Sequence, residues 1–536
     1  MPINTGQAPF CPMCGAKMVL RKKRSNPKDT FWGCPNYFRT KCKGLLNHGQ
    51  AHLFMSSSSQ IKSWTDQQEA IFAAGIEGIE NVFVGAGPGT GKTTTNVELG
   101  KRLSQKYLGL AFNKHIADEW AAKDRKNEVR TTHSFALREC HTHYGDFKLD
   151  VEGKKYRELI WAQLDCQDHI ADVDKKEVAH QLSRLIDLAR STLNENPLEL
   201  ADYYGMAIDI DLDLFRMMFK FILEQGRANL KVLDFTDLIY YIWFYKLPVR
   251  QFPRILGDEV QDWNASQLYL VQQALEPGGS LIAVGDEHQA LYGFRGADCD
   301  SIPNLIKTFS AKVLPLTLSF RCAKAIVERA NQLVPELRAA PDAPEGEILY
   351  DNQEGILRNI KRGDMMLCRT NAPLVAPVYS LIRRGVKATI RGRDIGRGLL
   401  LFIEKFEEGS ATLTELLIKM DKHAGKRVEK LVALARNGSA QALQDKAETI
   451  VQISLGADSI TQLKKNIDML FGDNSPAVVA STVHKAKGLE ADRVVILRPD
   501  LMPHPLAKKD WEMRQEMNII YVATTRAKNQ LTFEVK

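Results

Sequence analysis

The segment Ala86-Gly87-Pro88-Gly89-Thr90-Gly91-Lys92-Thr93-Thr94 sets glycines, one lysine and hydroxyls in the order that suits a phosphate chain. Glycines allow backbone conformations that aim N–H groups at phosphate oxygens. A helix opening near Lys92 adds the partial positive charge of its N-terminus. Lys92 is then placed to reach β- and γ-phosphates, and the Thr93 hydroxyl to ligate Mg²⁺. The strict pattern opens with Gly; here Ala86 takes that position, preceded by Gly85. Downstream, Asp258-Glu259-Val260-Gln261-Asp262 follows a short apolar run. Asp258, at a strand end, is placed to hold Mg²⁺ opposite the loop, and Glu259 to polarise a water. Gly257 weakens the strand signal just before them.

A second polar run, Val284-Gly285-Asp286-Glu287-His288-Gln289-Ala290-Leu291-Tyr292-Gly293-Phe294-Arg295-Gly296-Ala297, joins an apolar strand to an amide-bearing turn and then to aromatic and basic residues. Gln289 is placed to sense a γ-phosphate. Tyr292, Phe294 and Arg295 supply stacking and charge for a single nucleic-acid strand. Near the N-terminus, Cys11-x₂-Cys14 and Cys34-x₇-Cys42, nineteen residues apart, offer four thiolates for tetrahedral Zn²⁺. Phe31, Trp32, Tyr37 and Phe38 interleave there with Arg39, Lys41 and Lys43. His48 and His52 stand nearby, but four cysteines already satisfy the metal. The other five cysteines are scattered singly. Residues 1–10 do not read as a secretory signal, so free thiols in a reducing compartment are expected.

These groups need elements that bring them together. Apolar runs at 81–84, 108–112, 254–256, 280–284, 365–367 and 494–497 read as strands, with helical patterns between them. That alternation predicts an α/β fold with doubly wound parallel sheets. Two stretches, about 135–230 and 397–475, carry helical periodicity with few strand signals and read as inserted helical subdomains. A length of 536 residues leaves room for about three to five domains. The longest apolar run, 238–245, is eight residues, far short of the ~18 that a membrane span needs. The net charge of +7 is uneven: residues 1–62 carry ten Lys/Arg against Asp29, leaving the remainder slightly acidic. A local basic patch is the expected footprint for a polyanion. Arg21-Lys22-Lys23-Arg24 is read as a phosphate-contacting loop, with a nuclear signal as the alternative.

Taken together, the motifs resemble superfamily 1 DNA helicases of the UvrD/Rep type, and within them the F-box DNA helicase branch, without a recognisable F-box. Trp64-Thr65-Asp66-Gln67-Gln68 resembles the motif that reads adenine. Ala111-Phe112-Asn113-Lys114, Thr131-Thr132-His133-Ser134-Phe135 and Leu367-Cys368-Arg369-Thr370-Asn371 resemble strand-contacting motifs. Asp234-Phe235-Thr236-Asp237-Leu238 resembles the short acidic motif, and Leu318-Ser319-Phe320-Arg321 the motif that opens the second motor domain. Ser481 to Glu490 and Asn518 to Ala527 are similar to the last two.

This resemblance implies two RecA-like P-loop motor domains that use ATP with Mg²⁺. It implies that Gln67 and Phe320 hold adenine, that Glu490 sits near the ribose, and that Arg321 and Arg526 act as arginine fingers. It places Phe112, His133, Phe294, Arg295, Arg369, Asn371, Thr482 and His484 along the strand path. The cysteine pattern resembles the zinc ribbons of type IA topoisomerases, which bind single-stranded DNA.

The expected organisation is a zinc ribbon over 1–55, a first motor domain over 60–134 and 231–308, and a second over 309–396 and 476–536. Inserted subdomains fill 135–230 and 397–475. The expected activity is ATP-dependent 3′→5′ translocation on single-stranded DNA with unwinding of 3′-tailed duplex, alongside replication or recombination proteins and away from membranes. The alternative is a motor that strips proteins from nucleic acid. A non-enzymatic zinc protein with a dead motor conflicts with the intact Lys92, Glu259, Gln289, Arg321 and Arg526. The expected location is the cytoplasm of a bacterium or phage-infected host, or the nucleus of a eukaryote.

Overall fold

The computed structural model describes the strands Val19–Lys22, Thr30–Gly33 and Leu45–Leu46 and then residues 64–535, except 168–169, 171, 205, 207, 209, 292–300, 434–436 and 473–477. The chain separates into two compact units, Met1–Glu69 and Ala70–Lys536. In the first, β1 (Val19–Lys22), β2 (Thr30–Gly33) and β3 (Leu45–Leu46) form a three-stranded antiparallel sheet in that order. The expected zinc ligands Cys11, Cys14, Cys34 and Cys42 lie outside the described residues, as do Tyr292, Phe294 and Arg295.

The second unit is built on two six-stranded sheets. Its strands begin with β4 (Val82–Ala86), β5 (Leu108–Ala111), β6 (Glu128–Thr131), β7 (Lys148–Asp150), β8 (Val232–Asp234), β9 (Phe252–Asp258), β10 (Leu275–Gly285) and β11 (Lys312–Leu316). Then follow β12 (Leu318–Ser319), β13 (Arg338–Ala339), β14 (Glu347–Asp351), β15 (Met365–Cys368), β16 (Ala388–Ile390), β17 (Val478–Thr482), β18 (Ala491–Ile496) and β19 (Ala527–Glu534). The first sheet has the order β11-β4-β10-β9-β5-β6 and the second β14-β19-β18-β15-β17-β16. Every pairing in both is parallel. Parallel strands covered on both faces read as continuous apolar runs, and the fully buried β5 and β15 are of this kind.

Register sets where the chemistry falls. Val284 of β10 lies opposite Asp258 of β9, and Gly285 opposite Gly85 of β4. The phosphate loop, the acidic pair and the amide-bearing turn therefore leave three adjacent strands at one level, at the carboxyl edge where open α/β sheets bind ligands. In the second sheet Cys368 lies opposite Thr482, so Arg369 and Val483 emerge side by side.

The first sheet continues past residue 308, the expected end of the first motor domain. β11 pairs with β4 from Lys312↔Val82 to Leu316↔Ala86. Pro315 and the exposed Lys312 and Val313 hide it, since edge strands tolerate proline and charge that central strands do not.

The helices Lys154–Asp165, Asp172–Thr192, Pro197–Tyr203 and Leu212–Ala228 lie between β7 and β8. They share one apolar core with the first sheet, which joins Phe83, Leu108 and Ile255 to Ile160, Leu185 and Phe219. Helices Arg393–Glu407, Leu413–Ala433, Asn437–Ser454 and Ile460–Phe471 lie between β16 and β17. They share a core with one face of the second sheet through Met366, Leu416, Ile450 and Ile467. The other face packs on Ile326, Ile519 and Val522.

Candidate functional site

The loop after β4 turns twice through positive φ, at Gly89 (73°) and Gly91 (87°), and Gly91 caps the helix Lys92–Arg102. At Gly89 a side chain would also collide: an added Cβ would lie 2.3 Å from Cβ of Arg321. That crowding reflects the close approach of β11 and of the segment from β12 to Arg321 to the loop. Phe320 N–H donates to Gly89 O (2.9 Å), Ser319 Oγ to Pro88 O (2.8 Å) and Gly87 N–H to Leu316 O (3.2 Å). Within the loop, the Thr90 hydroxyl donates to Gly87 O (2.9 Å). Lys92 Nζ donates to the carbonyls of Ala86 (3.3 Å) and Gly87 (3.4 Å), and lies 3.7 Å from Glu259 Oε1.

Across the loop, the Thr93 hydroxyl donates to Asp258 Oδ2 at 2.6 Å. Burial, with Glu259 beside it, pushes Asp258 up to about 6. Burial also presses on Glu259, but Lys92, Lys487, Gln261 and Arg526 outweigh it and hold this carboxylate below its ordinary range. Glu259 stands at φ 55°, ψ 43°, a left-handed conformation that costs a non-glycine residue about 1–3 kcal/mol and clusters at functional sites. Gln261 Nε2 donates to Glu259 Oε2 (2.5 Å), and Gln261 Oε1 accepts from Asp286 N–H (3.1 Å). Asp286 Oδ2 in turn accepts from Gln289 Nε2 (2.7 Å). The amide is thereby wired to the acidic pair through one buried chain. Gly257 precedes this turn because a Cβ there would meet Trp263 at 2.6 Å.

The second sheet supplies the facing groups. Arg526 is buried; it donates to Val522 O (3.1 Å), Leu489 O (3.2 Å) and Gln289 Oε1 (3.4 Å). Burial, then repulsion from Arg321, lowers it to about 10. Arg321 Nε lies 2.6 Å from Glu490 Oε2, and Lys528 Nζ 2.7 Å from Glu490 Oε1. Burial works against the Glu490 charge, but Lys528 and Arg321 prevail and its pKa falls. Lys487 crosses to the first sheet, where its Nζ donates to both oxygens of Asp262 (2.7 and 2.8 Å) and to Gln289 O (2.8 Å). These groups enclose a cavity of about 480 Å³, and Gly89, Gly91, Thr93, Thr94, Phe112 and Phe320 complete its wall. Hard oxygen donors at Thr93 and Asp258 fit Mg²⁺, and a cation there would relieve the burial cost of Asp258. The cations Lys92, Arg321, Arg526 and Lys528 fit a polyphosphate, while Lys487 is spent on the Asp262 carboxylate.

Residues 64–310 match the family model of the UvrD/REP helicase N-terminal domain, and residues 477–533 match that of the UvrD-like helicase C-terminal domain, together more than half of the chain. The chain belongs to the UvrD-like helicase family. It is 24% identical to F-box DNA helicase 1 of Gallus gallus over 518 residues, covering 89% of this chain and 50% of that protein. It is 24% identical to F-box DNA helicase protein 1 of Schizosaccharomyces pombe over 535 residues, covering 88% and 57%. Over a shorter stretch of 144 residues, 25% of this chain and 19% of the relative, it is 33% identical to the ATP-dependent DNA helicase PcrA of Bacillus subtilis. The chain thus spans about half the length of the F-box relatives it matches. No described helix is long and apolar enough to cross a membrane.

The remaining candidates of this UvrD-like chain fall into four places. Arg369, Asn371, Thr482 and His484 line one cavity of about 530 Å³ beyond the second sheet, with His180 and Arg184 from the first helical insertion and Gln441 and Asp445 from the second. Arg369 closes on Glu516 through Nε (3.0 Å) and Nη2 (2.6 Å). Asn371 is held by Asp445, which accepts from its N–H (2.8 Å) and Nδ2 (2.7 Å). His133 stands apart, its ring edge-on to the exposed Phe235 (centroids 6.2 Å). Burial lowers the pKa of His133, with Asp234 opposing. Phe112 is exposed and faces the phosphate pocket, 5.6 Å from Lys487 Nζ. Gln67 belongs to the first unit, one residue before Gln68, which exchanges hydrogen bonds with Thr65 at the start of its helix.

Several residues escape the sequence reading. Lys487 stands inside a recognisable motif that gives it no role of its own. Trp511 and Gln515 line the second cavity, and Trp511 Nε1, Gln515 Oε1 and Asn371 Oδ1 are buried polar atoms without a partner among the described residues. Their signal is present: Trp511, Gln515 and Asn518 recur at helical spacing on Asp510–Thr524. Asp234 and Asp237 serve the fold, pairing with the buried Arg190 (2.8 Å each) while Lys155 meets Asp237 at 2.7 Å.

Proposed function

We propose that the chain is an ATP-dependent DNA helicase and translocase that moves 3′→5′ along a single strand and opens duplex ahead of it, in replication, repair or recombination. The observation that supports this most is the pocket where Lys92, Glu259 and Gln289 of one sheet face Arg321, Glu490 and Arg526 of the other. The relatives' names supply DNA as the polymer. The likeness of residues 289–295 to the 3′→5′ branch supplies the polarity.

In this reading ATP with Mg²⁺ supplies the phosphoryl group whose transfer to water drives the cycle. Thr93 and Asp258 would hold the metal, and Lys92 and the loop N–H groups would grip the phosphates. Glu259 orients the water and accepts its proton. Arg321 and Arg526 meet the charge that spreads over the phosphate oxygens. Phe320 holds the base and Glu490 the ribose. Because the grip comes from both lobes, loss of the γ-phosphate lets them part, and alternation of their hold moves the strand. The lobes are residues 60–134 with 231–316, and 317–396 with 476–536. Cys11, Cys14, Cys34 and Cys42 would hold Zn²⁺, and the basic segment around them would add contacts to single-stranded DNA.

Unwinding of 3′-tailed, 5′-tailed and blunt duplexes, with DNA and RNA strands exchanged, tests this. ATP-dependent opening of the 3′-tailed DNA alone is expected. Opening of the 5′-tailed duplex alone reverses the polarity. ATP hydrolysis that displaces a bound protein but opens no duplex assigns a remodeller.

A further inference from the structure

The edge of the first sheet carries a group of arginines that the phosphate pocket does not use. Glu128 of β6 is approached by three guanidinium groups: Arg130 Nε at 2.5 Å, Arg138 Nη1 at 3.2 Å, and Arg250. Arg130 lies on β6, Arg138 on the helix Thr132–Tyr144, and Arg250 just before β9. Glu128 neutralises one of the three charges, and the buried Glu139 beside them is turned onto the backbone, its Oε2 accepting from Arg250 N–H (3.0 Å). A guanidinium carries five N–H donors, and among the described residues Arg130 spends only one more, toward Ser134 Oγ at 3.4 Å. The three side chains remain 33%, 49% and 41% exposed. A groove of about 680 Å³ starts at this group, with Lys106 and Lys126 along it and Glu276 as a further carboxylate. Asp124, close by, is turned onto Tyr107 and Asn127.

Position gives the surplus charge a meaning. β6 is the outermost strand of its sheet, so no strand among the described residues covers this edge. The helix that carries Arg138 also carries His133, five residues earlier, whose ring meets the exposed Phe235. The groove lies where β5, β6 and β9 begin, at the opposite end of those strands from the ATP pocket. A strand leaving the His133 ring would pass from an aromatic contact to a row of cations.

We propose that Arg130, Arg138 and Arg250 form a phosphate-binding lane for single-stranded nucleic acid beyond His133. The inference rests on the helicase reading and names further contacts for its substrate. Phosphate oxygens would take the outward N–H groups while Glu128 holds the inner ones and fixes the forks. The lane recognises backbone and not bases, so it is indifferent to sequence.

The test is the double substitution Arg138→Gln with Arg250→Gln, which leaves Arg130 to pair with Glu128, beside the double substitution to Lys. Affinity for a long oligo-dT, for a short oligo-dT and for blunt duplex is measured across salt, with thermal melting and nucleotide affinity without DNA as controls. With two phosphates no longer neutralised, the salt slope on the long strand should flatten by about 1.4, and the short strand should be much less affected. The Lys variant should restore the slope, and melting and nucleotide affinity should stay unchanged. An unchanged slope on the long strand overturns the lane and leaves these arginines to an acidic protein partner. A loss confined to blunt duplex, or one the Lys variant does not restore, overturns it as well. A wild-type chain that binds no single strand overturns the helicase reading beneath it, and the lane with it.

Discussion

The phosphate pocket and the cavity beyond the second sheet use similar side chains and hold them differently. In the pocket, Arg526 spends its donors on two carbonyls and an amide, and Lys92 on two carbonyls with Glu259 at a loose 3.7 Å. In the cavity, Arg369 is closed on Glu516 at both Nε and Nη2, and Asp445 takes two donors from Asn371. A cation resting on neutral acceptors keeps its charge for an incoming anion. A cation locked on a buried carboxylate has become part of the wall. Of the arginines assigned by resemblance, Arg526 is therefore placed to act on a ligand. Arg369 is placed to shape the space where one would lie, with the unpartnered atoms of Asn371, Trp511 and Gln515 facing it.

Arginine removal breaks this contrast most sharply. Arg526→Ala and Arg321→Ala should each cut kcat strongly, given that arginine fingers at phosphoryl-transfer sites contribute roughly 10³–10⁵ in rate. DNA affinity without nucleotide should hold. A loss seen only as weaker DNA binding would move that arginine to the strand. Next, Glu259→Gln should retain ATP binding while turnover falls by about 10²–10⁴, the contribution of a positioned base. Wild-type-like phosphate release from that variant would return Glu259 to a structural role.

The cavity should respond in stability instead. Glu516→Gln leaves Arg369 buried with its main carboxylate gone, and breaking such a pair costs about 3–5 kcal/mol. Denaturant midpoints should show that loss, whereas Lys92→Met should leave the midpoint nearly unmoved. Gly257→Ala should cost about 1–3 kcal/mol by overpacking against Trp263, and should slow turnover by shifting the turn that carries Asp258 and Glu259. The smallest effect concerns the basic N-terminus. Deleting residues 1–55 should weaken single-strand binding and flatten its salt slope by about 0.7 for each phosphate no longer neutralised. ATPase at saturating DNA should persist, because the motor motifs begin at Trp64. An unchanged slope would assign that segment to a protein partner.

Much of the first lobe is legible in the chain itself. Glycine spacing around Lys92, an acidic pair after an apolar run and an amide after another are local signals. Each sits within a few residues of a strand end, where the chemistry has little freedom. Buried central strands such as β5 and β15 announce themselves by unbroken apolarity. The edge strands do not: β6 is half-buried and charged, and β11 contains Pro315. Periodicity reports burial, and an edge is covered on one side only.

Sequence alone therefore determined which polar groups leave the strand ends and in what order they come, because strand–turn–helix geometry is set within about ten residues. Three arrangements belong to the tertiary structure. Arg321 meets Gly89, Lys487 reaches Asp262, and Glu516 rather than solvent receives Arg369. These pairs lie more than a hundred residues apart in the chain. Only the register of two parallel sheets, with a helical insertion packed on each, brings them within reach. Whether a given arginine faces a ligand or a carboxylate is a matter of a few ångströms of packing, which no local pattern encodes.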